Sequence, residues 1–140
     1  MSSKLPRLFR LMSQAQHRLL KSSDSAFKDG LGVSTTQLGA LFILEKNPGA
    51  MPKDVSEALA INASAITALI GRMEDAGLVR RRPSDVDGRA ALLFATADGL
   101  AKAAAARPIL ARLNARLTKD FSEREIATVA RFLGAILDRF

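Results

Sequence analysis

Residues 62–99, NASAITALIGRMEDAGLVRRRPSDVDGRAALLFATADG, decide how this chain folds. Ile66, Leu69, Ile70 and Met73 recur at i, i+3, i+4 and i+7, so they share one face of a helix. Asn62 has the side-chain oxygen to cap its start, and Gly77 can end it in the left-handed conformation. The opposite face carries Ser64, Thr67, Ala68 and Gly71, all small, and then Arg72. So small a face lets the helix approach another surface closely. Val79 to Arg82 starts an extended run that Pro83 closes, and Ala91 to Ala95 can return beside it. Asp87-Gly88 between them is a strong hairpin-turn dipeptide, with Arg89 next to the turn. A small-faced helix followed by an arginine-tipped hairpin suggests a winged helix that reads DNA.

Working upstream, Ser34-Thr35-Thr36-Gln37 is a capping box, with Val33 and Leu38 placed as its hydrophobic staple. Leu38, Leu41, Phe42 and Glu45 follow at helical spacing until Asn47-Pro48-Gly49 stops the helix. Pro52 suits the first turn of a short helix that carries Val55 and Leu59 inward. A tight turn over residues 60–63 then leads into the Asn62-capped helix, which makes a helix-turn-helix by spacing. Residues 28–33, KDGLGV, read as a loop because of Gly30 and Gly32.

The two ends of the chain are helical and amphipathic. Leu5, Leu8, Phe9, Met12, Leu19 and Leu20 form one stripe, with Lys4, Arg7, Arg10, Arg18 and Lys21 mostly off it. Such a helix can lie on a membrane surface or be buried against a partner. Two further amphipathic helices at the far end offer a surface and favour the second reading. Thr96 can cap a helix starting at Ala97, and Pro108 inside it predicts a kink. Leu110, Leu113, Leu117 and Phe121 continue a stripe beyond it. Ser122-Glu123-Arg124-Glu125 is a second capping box, with Phe121 and Ile126 as staple. Ile126, Val129, Ala130, Leu133, Leu137 and Phe140 define the last helix. The central module can cover only part of these stripes, so the chain ends are expected to form a helical homodimer interface. The alternative is a monomer whose terminal helices pack only on their own chain. The fold expected is mainly α, a winged helix-turn-helix with a two-stranded β-hairpin wing. It is one domain over residues 1–140, with the DNA-binding module at 31–96 and helical dimerisation regions at 1–30 and 97–140.

Composition narrows the function classes. A chain of 140 residues has room for one respectable core, and 48% apolar content argues against general disorder. The net charge of +7 favours an anionic partner, DNA or a membrane surface. All aromatic residues are Phe, so stacking on single-stranded nucleic acid has few candidates. The lack of cysteine removes disulfides, thiolate metal sites and thiol redox switches. His17, the one histidine, has no cluster around it that would hold a metal. No apolar run approaches the roughly 18 residues of a membrane span. The N-terminus is basic, Ser-rich and free of acids before Asp24, as in a transit peptide, but it lacks the apolar stretch of a secretory signal. A cytoplasmic protein is the simplest expectation. The carboxylates are scattered or sit at helix starts, Gly30-Leu31-Gly32 is too little for a phosphate loop, and no triad is legible. No enzyme and no cofactor are expected, although a small enzyme and a membrane-surface protein stay as rival classes.

For duplex DNA the residues allow specific roles. Ser64 and Thr67 can hydrogen-bond base edges, while Ala65, Ala68 and the Thr67 methyl can meet thymine methyl groups. Close helix packing inside the domain is the competing use of this face, but the apolar quartet already supplies a core side. Arg89, beside Gly88 in the turn, can enter a narrow minor groove; otherwise it is a solvated surface cation. Arg80, Arg81 and Arg82 alternate on a strand, so Arg81 points opposite to its neighbours. One side is expected to hold an ion pair, Arg81 with Asp87, and the other to meet phosphates, with Arg82 among the DNA contacts. Lys53 and Arg72 are further phosphate candidates.

The same stretch resembles the MarR family of bacterial transcription regulators. That family has a wing signature of Asp, any residue, Arg, three residues, an aliphatic residue, one residue, Leu and Thr. Asp87, Arg89, Leu93 and Thr96 match it, and Ala95 replaces the usual Leu. Gly77-Leu78-Val79 with Arg81 is similar to the family's Gly-Leu-Val-x-Arg lead into the wing. Element order and length are similar over nearly the whole chain. The family often carries Arg where this chain has Ala68, so base contacts do not carry over there. The resemblance implies a homodimer joined through its N- and C-terminal helices and a pseudo-palindromic DNA operator. It also implies a repressor released by a small aromatic or phenolic ligand held between the dimer helices and the DNA module, where His17 and Arg18 could line the site. Without cysteine, the thiol-based peroxide sensing known in part of the family is excluded.

Overall fold

A computed structural model of the chain describes residues 4–140, with side chains from Arg7 onward, so Leu5 of the expected first stripe and Lys4 beside it lie outside the described side chains. The elements in order are α1 (Lys4–Leu31), α2 (Thr35–Lys46), α3 (Pro52–Leu59), α4 (Ala63–Asp75), β1 (Val79–Pro83), β2 (Ala91–Ala95), α5 (Ala97–Thr118) and α6 (Glu123–Arg139). The chain is mainly helical with one antiparallel hairpin, as expected. It divides into two compact units, the first ending at Arg107 and the second running from Pro108 to Phe140.

In the first unit, local capping decides where helices begin. Ser34 accepts the Gln37 amide at 3.1 Å, and the Gln37 side chain accepts the Ser34 amide at 3.0 Å, closing the capping box of α2. Asp24 of α1 adds a cap from a distance, accepting the Thr35 amide at 2.8 Å. Gly77 has φ +73 and ends α4 with two tight bonds. Its own amide reaches the Glu74 carbonyl at 2.9 Å, and the Leu78 amide reaches Met73 at 2.9 Å, the pattern of a Schellman cap.

The expected loop over residues 28–33 is corrected: α1 continues through Lys28–Leu31, and Gly32 (φ +71) is where the chain leaves the helix. Gly30 inside a helix costs only about 1 kcal/mol relative to Ala. Burial of Phe27, 2% exposed, and a bond from Lys102 Nζ to the Leu31 carbonyl at 2.6 Å outweigh it.

The core of this unit joins Leu38, Leu41 and Leu44 of α2, Val55 of α3, Ile70 and Met73 of α4 and Leu93 of β2, all fully buried. Each contributes about 1.5–3 kcal/mol of burial. The hairpin pairs Val79 with Ala95 through Pro83 with Ala91. Leu93 also bridges Ala50, with Gly49 N–H donating to the Leu93 carbonyl (2.8 Å) and Leu93 N–H to the Ala50 carbonyl (2.9 Å). The loop before α3 therefore runs as a short third ribbon beside the wing.

The expected Asp87-Gly88 turn lies inside a longer connection. Residues 84–90 connect the strands, and Gly88 lacks the positive φ of a primed hairpin turn. The Ser84 hydroxyl accepts the amides of Val86 (3.2 Å) and Asp87 (3.3 Å) instead. The Asp87 carboxylate accepts the Arg89 amide at 3.0 Å, and the Ala90 amide reaches the Asp87 carbonyl at 2.9 Å. Side-chain acceptors, rather than glycine, shape this wing tip.

Thr96 closes the module. Its hydroxyl donates to the Gly77 carbonyl (2.6 Å) and accepts the Gly99 amide (3.0 Å), capping α5 as expected. Pro108 sits inside α5 without ending it, and the second unit starts there. In that unit Ser122 and Glu125 form the second capping box, at 3.1 and 3.0 Å. Phe121, placed in the sequence as its staple, is 59% exposed. α6 has no buried residue.

Candidate nucleic-acid interface

The helix-turn-helix is built by α3, a tight turn and α4. Ala60 takes φ 55, a left-handed conformation that an alanine adopts only at some cost, and the Ile61 amide bonds to the Ser56 carbonyl at 3.0 Å. Asn62 then caps α4, its Oδ1 accepting the Ala65 amide at 2.8 Å. Ile66, Leu69, Ile70 and Met73 are buried, while Ser64, Ala65, Thr67, Ala68 and Arg72 are exposed and Gly71 is half-buried. The small face is therefore not used for packing, which removes the competing reading of it. Its two hydroxyl protons are already committed: Ser64 donates to Asn62 Oδ1 (2.9 Å) and Thr67 to the Ala63 carbonyl (3.0 Å). What the face offers outward is hydroxyl lone pairs and methyl groups, a set that suits amino groups and methyls on base edges.

The hairpin carries the cations. Strand alternation sends Arg81 toward the side of Leu93, its register partner, and Arg80 and Arg82 to the other side. Arg81 Nε donates to Glu74 Oε1 at 2.8 Å, so the expected partner Asp87 is corrected to Glu74. The reason is tertiary: Glu74 lies in the last turn of α4, beside the strand's start, whereas Asp87 is occupied in holding the wing tip. Lys53 is close to Glu57 at 3.9 Å, but both are largely exposed, and such an i,i+4 pair is weak enough to release the lysine. Gly88 and Arg89 are exposed at the wing.

The aromatic ring under two of these cations was missed by the sequence reading. Arg80 stands directly across from Phe94, with its guanidinium carbon 5.3 Å from the ring centroid, and Arg82 lies 5.5 Å from the same ring. The alternation already recognised for Arg81 was the signal that could have found it. His17 and Arg18 lie exposed along α1, and neither lines the cleft of about 500 Å³ bordered by Ile43, Pro48, Ala50 and Ala58. The α4 face and the wing belong to one compact unit, and His17 and Arg18 are exposed on α1 of the same unit.

Comparison with known proteins matches this architecture to a family. Residues 31–90, from the end of α1 to the wing tip, match a model described as MarR family. The multiple antibiotic resistance protein MarR of Escherichia coli is 25% identical over 134 residues, covering 95% of this chain and 90% of that protein. An HTH-type transcriptional repressor of Mycobacterium tuberculosis is 29% identical over 121 residues, covering 84% and 86%. Among solved structures, the transcriptional repressor CouR bound to a 23-mer DNA duplex superposes with a TM-score of 0.78 at 26% identity, covering 90% of this chain and 89% of that one. The module that holds both the helix-turn-helix and the wing matches the MarR-family model, and along most of its length the chain is similar to winged helix-turn-helix transcription regulators of that family.

Proposed function

We propose that the protein is a sequence-specific regulator that binds pseudo-palindromic duplex DNA as a homodimer and represses until a small aromatic or phenolic ligand releases it. The observation that carries the DNA reading is the division of α4: its apolar face is buried and its small polar face is exposed, next to a hairpin rich in arginine. A helix that presents a small, partly polar face can seat in a major groove, and cations beside it can meet the phosphates. The relatives described as repressors and the DNA-bound state of CouR support the same reading. In this reading residues 31–96 act on DNA, with Ser64, Ala65, Thr67 and Ala68 toward bases, Arg89 and Gly88 at the minor groove, and Lys53, Arg72 and Arg82 toward the backbone, while Arg81, on the opposite face from Arg82, is held by Glu74. Residues 1–30 and 97–140 form the dimerisation region. Exposed apolar side chains support it: Leu8, Phe9, Leu19 and Leu20 on α1, and Val129, Phe132, Leu133 and Leu137 on α6. The ligand step rests on the family resemblance, with His17 and Arg18 as its candidate contacts.

Selection of bound fragments from genomic DNA, followed by footprinting, tests this. Two half-sites related by an approximate dyad are expected, with affinity lowered by phenolic acids if the release step is right. Binding that is equal on all sequences would overturn the regulator reading, and affinity indifferent to aromatic acids would overturn release.

A further inference from the structure

We propose that Arg80 and Arg82, both stacked on the ring of Phe94, form a pre-oriented clamp for DNA backbone phosphate at the base of the wing, with Phe94 as the residue that positions them. The inference rests on the DNA-binding reading and adds a site to it. Three observations converge. The register puts Arg80 directly opposite Phe94, and Arg82 two residues along the same face. Both guanidinium groups lie within 5.5 Å of one ring centroid, 5.3 Å for Arg80 and 5.5 Å for Arg82. Phe94 stands beside Gly49: its ring tip lies 3.4 Å from where a Cβ of Gly49 would stand, and Gly49 (φ +84) is held to Leu93 by a 2.8 Å bond.

The charge arrangement separates these two cations from an ordinary solvated cluster. Arg81, between them, is neutralised by Glu74 on the opposite face. Among the described residues neither Arg80 nor Arg82 has a carboxylate within ion-pair distance, and both are exposed. A guanidinium lying on an aromatic face keeps its N–H edge free for an acceptor and loses less side-chain freedom when a phosphate arrives. Two such groups around one ring concentrate positive charge at the base of the wing, an arrangement that attracts a chain of phosphates. Charge complementarity therefore selects a polyanion, and DNA is the polyanion that the neighbouring α4 face suits.

The test measures affinity against salt concentration on two labelled duplexes, one carrying a site selected from genomic DNA and one of random sequence. Arg80→Ala and Arg82→Ala should each lower the slope of log affinity against log salt by about one, on both duplexes. Phe94→Leu keeps apolar bulk but removes the ring, and should weaken binding on both duplexes with little change in melting temperature. Phe94→Tyr restores the face and should restore affinity, which a merely structural role for the ring would not require if Leu already folds. If Phe94→Leu unfolds, the two arginine variants and Phe94→Tyr still decide the matter. Wild-type slopes in both arginine variants, alongside a reduced slope in Arg89→Ala, would overturn the clamp and leave the DNA reading intact. A wild-type protein that binds neither duplex would remove both.

Discussion

At Gly99 an added Cβ would lie 2.3 Å from the Leu78 carbonyl oxygen and 2.9 Å from Leu41 Cδ2. Neither neighbour is free to yield, because Leu78 O accepts the Thr96 amide at 3.0 Å and Leu41 is fully buried. Gly99→Ala should therefore destabilise the fold by about 2–4 kcal/mol, through a forced shift of the first turn of α5. Urea unfolding checks it, and a change below about 0.5 kcal/mol would mean that α5 moves freely there. Two other residues separate reading from holding. Thr67→Ala should alter sequence preference at one position per half-site, costing about 1–3 kcal/mol there, with the salt slope unchanged. Arg89→Ala should weaken binding on every sequence and flatten its salt dependence. A Thr67→Ala protein that loses affinity equally on all sequences would mean that α4 positions the protein without reading bases.

Among the elements, α6 relies most on its own ends, since none of its residues is buried. The Ser122 amide donates to the Glu125 carboxylate, and this bond, then the Ser122 hydroxyl, hold that carboxyl below the ordinary glutamate range. A carboxylate whose folded-state pKa is depressed stabilises the folded form above its unfolded value, and the contribution is lost as pH falls through the lower folded value. Helical circular dichroism should therefore fall as acid protonates Glu125, with no change from this group above the ordinary glutamate value. Glu125→Gln should remove that part of the acid sensitivity while keeping most of the capping bond. An unchanged acid profile in Glu125→Gln would show that other carboxylates dominate. α2 is different, because Leu38, Leu41 and Leu44 bury it as well as its capping box, so acid should leave it standing longer.

For the whole molecule the decisive quantity is uncovered apolar surface at both chain ends. Phe9 is 73% exposed and Leu137 83%, more than singly scattered surface apolar residues need explain. Sedimentation equilibrium at micromolar concentration should give about twice the 15.0 kDa chain mass. Leu133→Asp, which sets a charge in the α6 stripe, should yield the monomer and lose operator affinity together. If that variant keeps full affinity, the terminal helices are not the interface. In the dimer the two α4 helices should reach half-sites about 34–36 Å apart along the duplex, the distance of one DNA turn.

Features made by residues three or four positions apart were legible in the chain itself. The apolar quartet of α4, the Asn62 cap, both Ser capping boxes and the left-handed Gly77 depend on bonds closed within one helical turn, so local residue types suffice to specify them. The wing's position and its turn at Asp87-Gly88 were legible too, but the Ser84 and Asp87 side-chain bonds that shape the tip were not. Only the tertiary structure decided the partner of Arg81, the Arg80 and Arg82 stack on Phe94, the Ala50–Leu93 bridge and the Lys102 bond that closes α1. Each of these joins side chains or strands from different elements. Which acid, ring or carbonyl a group meets is set by how the buried core of α2, α3, α4 and β2 places those elements, and charge or hydropathy along the chain is the same for several candidate partners.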